Sequence, residues 1–173
     1  MMLPRVLGWA LFAVWSTWAF ALQARLTAGS GSAAFVPDVG LVLALSLLAR
    51  LEERDLPILA VVVALTRSAF SSEPAIALLA GTLGLSLLAM AVRSVVELTG
   101  PLWRTITTAA LVAAFDLWLA GAGAPRAGSV GAGPAISVGA LLAVGISSGL
   151  LALFAGPALA HLPGLSPLRS RKW

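Results

Sequence analysis

Four ionisable side chains, Asp38, Arg67, Glu73 and Asp116, lie within or at the edges of long apolar runs. Charge in or near hydrocarbon is costly to desolvate, so each calls for a partner, a hydrated helix end or a task. Gathered at one side of a membrane, the four would form either a polar cavity or a contact for a partner's transmembrane helix. The other arrangement is structural: an Arg67–Asp116 ion pair joins two helices, Asp38 and Glu73 sit at wet helix starts, and an unpaired Arg67 snorkels to the interface. The structural arrangement is the expected one, because intramembrane ion pairs often hold helices without doing chemistry.

Little else in the sequence suits catalysis. His161 is the single histidine and there is no cysteine, so a metal site lacks its usual ligands and His161 reads as an incidental interfacial residue. No P-loop, Rossmann fingerprint or hydrolase nucleophile elbow is expected, and the Gly-rich stretches lack the strand-to-helix setting that a phosphate loop needs. Without a nucleophile, base and orienting group, the chain reads as non-enzymatic, with no cofactor.

The elements that would position these residues are membrane helices. Of 173 residues, 60% are hydrophobic and 10% charged, more apolar surface than a soluble domain of this size can hide. The expected fold is an all-α polytopic bundle, one transmembrane domain with spans at about 6–22, 35–49, 56–70, 74–92, 105–122 and 136–160. The fourth is the plainest. Its body, Pro74 to Val92, carries no charge and approaches the ~20 residues a crossing helix needs. Ser71, Ser72 and Glu73 stand before it as acceptors for free amides, with Pro74 in its first turn.

The first run is long for a signal-peptide core, although Leu22-Gln23-Ala24 faintly resembles a cleavage site, and it reads as a retained span. Thr27 to Ala34 reads as a linker, Gly121 to Gly133 as an outer loop, and the residues past Pro163 as a short basic tail. The second and third runs are marginal in length, so a re-entrant hairpin competes with two crossings.

Basic residues decide between these. If all six runs cross, one side holds Arg5, Arg50, Arg54, Arg93, Arg104, Arg169, Arg171 and Lys172, eight in all, and the other Arg25, Arg67 and Arg126, three. Without the short pair the split is six against five. The positive-inside rule thus favours six spans with both termini cytoplasmic. The net charge of +4 then belongs to helix ends facing lipid headgroups, and nucleic acid is not an expected partner. Gly145 and Gly149 form a G-x-x-x-G in the sixth span, and Ala80 and Gly84 a similar small pair in the fourth. Both are expected to allow close helix packing, within the bundle before any dimer.

The order of these features resembles the MreD family of bacterial rod shape-determining membrane proteins. The resemblance runs from Pro37 to Leu119. It rests on Pro37-Asp38 before an apolar run ending at Arg50, on Ser71-Ser72-Glu73-Pro74 leading into an Ala/Gly/Leu-rich helix ending at Arg93, and on Pro101-Leu102-Trp103-Arg104 before the fifth helix. At Ala64-Leu65-Thr66-Arg67 the chain departs from it, since the family usually carries a Gly and an acidic residue there. The resemblance implies a non-enzymatic scaffold of the cell-elongation, peptidoglycan-synthesising complex in the bacterial inner membrane. Its partners would be a single-pass MreC-like protein, a RodA-type glycan polymerase with its penicillin-binding partner, and the MreB filament. Two alternatives are an accessory subunit of another membrane complex and a solute-binding subunit similar to the S components of energy-coupling-factor transporters. The A-x-x-x-A docking patch common in S components is missing from the first span.

Overall fold

The computed structural model describes residues 3–29, 35–96, 100–123 and 137–169, and among them the fold is all-helical. Six helices follow in order: α1 Leu3–Gly29, α2 Val39–Leu48, α3 Leu56–Ser68, α4 Ala75–Val95, α5 Pro101–Gly123 and α6 Val138–Leu159. Four of them, α1, α4, α5 and α6, are long and apolar enough to cross a membrane. α2 and α3 are short, with 10 and 13 residues. At 1.5 Å per residue they rise about 15 and 20 Å, against about 30 Å of hydrocarbon.

Several boundaries differ from the sequence reading for local reasons. α1 runs on through Gln23 and Arg25 to Gly29, so the start of the expected linker is helical; Thr27 Oγ1 donates back to the Gln23 carbonyl. The rest of that linker, 30–34, lies outside the described residues. So do most of the expected outer loop and the last residues of the tail. α5 begins at Pro101, whose missing N–H and fixed φ suit a first helical residue, and not at the expected 105. At α4 the expected acceptors play another part. Pro74 itself is the N-cap without a side-chain bond, and Ser71 Oγ accepts from the Glu73 amide to close the preceding turn.

α2 is the centre of the bundle and packs against each of the other five helices. Eight of its ten residues are buried, among them Leu41, Val42 and Leu47. Because it meets protein on all sides it needs no polar face, and it has none. Polar contacts bracket it at both ends. Its first turn is capped by Asp38, whose Oδ1 accepts from the Leu41 amide at 2.9 Å. At its last turn Arg93 Nη1 donates to the Leu48 and Leu51 carbonyls at 3.3 and 2.9 Å, taking up acceptors that a helix end leaves free.

The basic residues before and after these helices meet at the Arg93 end. Arg5 of α1 pairs with Asp55 and with Glu52, the latter at 3.3 Å, and Arg54 pairs with Glu52 at 2.6 Å. Arg50 and Arg104 lie there too, beside the last turns of α6. We call this the basic end and the Asp38 end the far end.

The tail does more than trail away. Leu165 and Leu168 are fully buried, Leu168 packs against Gly8 of α1, and the Pro163 carbonyl accepts from Trp15 Nε1 at 3.3 Å. Gly164 makes the turn possible. It has φ of +84°, and a Cβ there would stand 2.2 Å from Leu11 Cδ1.

Candidate functional site

The far end collects the polar side chains of α2, α3, α5 and α6. After Pro37, whose carbonyl accepts from the Val39 amide at 3.0 Å, Asp38 caps the start of α2 and is buried. Its carboxylate is 1% exposed. One oxygen caps the helix and the other accepts from Arg67 Nη1. The Asp38 amide in turn donates to Ser148 Oγ of α6 at 2.9 Å. Arg67 occupies the last turn of α3, where the helix dipole favours a cation, and Asp38 the start of α2, where it favours an anion. The two helices therefore meet through ends whose dipoles already suit the pair.

Arg67 has further neighbours. Its Nη2 comes within 3.9 Å of Asp116 Oδ1, and its guanidinium carbon lies 4.8 Å from the centroid of Phe115 and 5.5 Å from that of Phe20. Those distances suit cation–π attraction. The Arg67–Asp116 pair expected from the sequence is thus the looser of two contacts, and the hydrogen-bonded partner is Asp38. Asp116 is also the more accessible carboxylate, with 23% of its side chain exposed. Glu73 does not join them. It lies in the α3–α4 turn, and among the described residues its carboxylate makes no ion pair.

Beside Arg67 a crevice of about 480 Å³ opens between α1 and the α3–α4 turn, lined by Phe20, Gln23, Thr27, Phe70, Ser71 and Ser72 as well as Arg67. Gln23 Oε1 is buried there and has no hydrogen-bond partner among the described residues. Sequence reasoning passed Gln23 over as part of a cleavage-site look-alike. Its signal was composition, since it is the single glutamine of the chain.

The small residues separate by helix face. A Cβ at Gly145 would lie 2.9 Å from the Ala109 carbonyl oxygen, and one at Gly149 would lie 2.8 Å from that of Thr105. Both glycines let α6 lie directly on the α5 backbone, in the most extensively packed helix pair among the described residues. Ala80 and Gly84 point outward from the bundle, and a Cβ at Gly84 would meet nothing. The expected packing at that pair passes instead to Gly81, where a Cβ would be 2.6 Å from the Trp118 ring and 2.9 Å from Phe115. The inward face of α4 runs through Leu78, Gly81, Thr82, Leu85, Ser86 and Ala89, which leaves positions 80 and 84 on the other side of the helix.

The string Gly145-Ile146-Ser147-Ser148-Gly149 also spells G-x-S-x-G. It lies mid-helix, without the strand-to-helix turn that presents a hydrolase serine, and Ser147 Oγ donates to the Val144 carbonyl. Among the described residues no three His, Asp or Glu side chains converge as metal ligands. What the far-end residues can do is electrostatic: one guanidinium on α3 ties two carboxylates and two aromatic rings from three other helices. No protein-family model, curated protein or solved structure matches the chain.

Proposed function

We propose that this protein is a non-enzymatic assembly subunit of a bacterial cell-elongation complex, similar to the MreD proteins, crossing the cytoplasmic membrane six times with both termini inside. One observation carries the reading: the far-end charges are engaged with one another, while polar capacity remains open in the crevice beside them. Asp38 is satisfied within the bundle by Arg67 and the Leu41 amide. Gln23 Oε1, buried along the crevice, has no donor among the described residues. A partner's helix bearing a hydrogen-bond donor would complete that acceptor without disturbing the ion pair.

The test is a mild-detergent pull-down of the intact protein from its native membrane, with mass spectrometry of proteins and small molecules. Recovery of a single-pass MreC-like protein with a RodA-type polymerase supports the proposal, and Gln23→Ala should reduce that recovery. A vitamin-sized ligand arriving with transporter subunits overturns it in favour of a solute-binding subunit.

A further inference from the structure

Arg50 and Arg104 differ from the other arginines of the basic end. Arg5 and Arg54 share the carboxylates of Glu52 and Asp55, whereas Arg50 and Arg104 make no ion pair among the described residues. They are also near enough for their charges to repel, and both are partly buried.

Neutral acceptors hold them. Arg50 Nη1 lies 2.9 Å from His161 Nε2. A guanidinium can only donate, so Nε2 accepts, and His161 Nδ1–H then donates to the Pro157 carbonyl at 2.7 Å. Arg104 donates through Nε to the Ala152 carbonyl at 3.0 Å and through Nη2 to that of Leu153 at 3.2 Å. Leu153 would ordinarily serve the amide of residue 157, but that residue is proline and has none. The proline therefore frees an acceptor that orients Arg104, and its own carbonyl orients the histidine that orients Arg50.

Both cations are fixed, and neither meets a carboxylate among the described residues. The carbonyls at the end of α2 already hold Arg93, so they do not offset these two charges as well. Positive charge is therefore in excess at a partly desolvated site, which suits an anionic phosphodiester. Leu102 and Trp103 beside Arg104, and Phe154 beside its α6 acceptors, are exposed apolar side chains, a setting that suits a lipid better than a free anion.

We infer that Arg50 and Arg104 together bind the phosphodiester headgroup of an anionic phospholipid. The site does not depend on the scaffold reading.

The test uses the full chain, delipidated in a neutral detergent and titrated with phosphatidylglycerol, phosphatidylcholine or inorganic phosphate, with bound lipid read by native mass spectrometry. Phosphatidylglycerol is expected to be retained over phosphatidylcholine, and each of Arg50→Gln and Arg104→Gln to weaken it roughly fivefold, as about 1 kcal/mol per interfacial arginine implies. Arg54→Gln, which removes an equal charge from an arginine already paired with Glu52, should change retention little. Arg104→Gln also unseats α6 carbonyls, so Arg50→Gln decides the matter if that variant fails to fold. Equal retention of the two lipids, or an effect of Arg54→Gln as large as that of Arg50→Gln, overturns the inference. Displacement of the lipid by millimolar inorganic phosphate overturns it in favour of a soluble anion.

Discussion

Arg67 donates to Asp38 across the junction of α2 and α3, and that bond leaves Asp116 as a second, longer-range partner at 3.9 Å. The ranking has an energetic consequence. Asp38 is fully enclosed and depends on its bonds to Arg67 and the Leu41 amide, whereas Asp116 keeps access to the surface.

Removing the cation should therefore strand a buried carboxylate. Arg67→Met is expected to lower stability by about 3–5 kcal/mol, the usual cost of breaking a buried pair from one side. Asp116→Asn should cost no more than about 1 kcal/mol, because a long, partly exposed pair contributes little. Combining Arg67→Met with Asp38→Asn should recover part of the first loss, since asparagine can still cap α2. Thermal unfolding in detergent, followed by size-exclusion chromatography, orders the four proteins. An Asp116→Asn loss equal to that of Arg67→Met would show that Asp116 is the principal partner after all.

The two small pairs should respond in opposite ways. Gly149→Ala places a methyl against the Thr105 carbonyl and should cost about 1–3 kcal/mol, since α6 must back away from α5. Gly84→Ala meets open space and replaces glycine by a better helix former, so stability should hold or rise by up to about 1 kcal/mol. Thermal shifts of the two variants, measured side by side, test the assignment of faces. A destabilising Gly84→Ala would contradict an outward position 84.

Much of this architecture is legible in the residues themselves. The uncharged run after Pro74 marks a helix start, whereas Pro37-Asp38 and Pro101 carry the same stereochemical signal and the apolar spans, drawn from 35 and 105, pass over it. Arg67 and Asp116 are conspicuous because charge is scarce in such runs. The partner of Arg67 was not legible, since Asp38 and Asp116 are both acids toward the same end of the bundle and only the fold brings one within hydrogen-bonding distance. Hydropathy also misleads for α2. It reads as a marginal span because it is apolar all round, the pattern of a helix enclosed by protein as much as by lipid. The tail was read by its charge, although the residues that fix it are Gly164, Leu165 and Leu168.

The ends of the bundle can be mapped from outside the cell. The chain has no cysteine, so single Ser72→Cys and Arg54→Cys variants give unambiguous labelling sites. Arg54 pairs at the basic end beside Arg5, and Ser72 lines the crevice at the far end. With six crossings, a membrane-impermeant maleimide should label Ser72→Cys in intact cells and reach Arg54→Cys only after permeabilisation. A periplasmic reporter at the C-terminus should stay silent. Labelling of Arg54→Cys in intact cells would reverse the orientation or break the six-span topology.

Arg104 and Pro157 should be thermodynamically coupled. Arg104 Nη2 bonds the Leu153 carbonyl, the acceptor that Pro157 leaves without an amide. With proline in place, Arg104→Met strands that carbonyl inside the α5–α6 contact and should cost about 1–3 kcal/mol. In a Pro157→Ala background the new amide can take the carbonyl, and the same Arg104→Met change should cost less. A double-mutant cycle on thermal or denaturant stability is expected to give a coupling of about 0.5–3 kcal/mol between the two positions. Strict additivity would mean that the carbonyl is satisfied without Arg104, and that the arginine is held at the end of α6 by its bond to Ala152 alone.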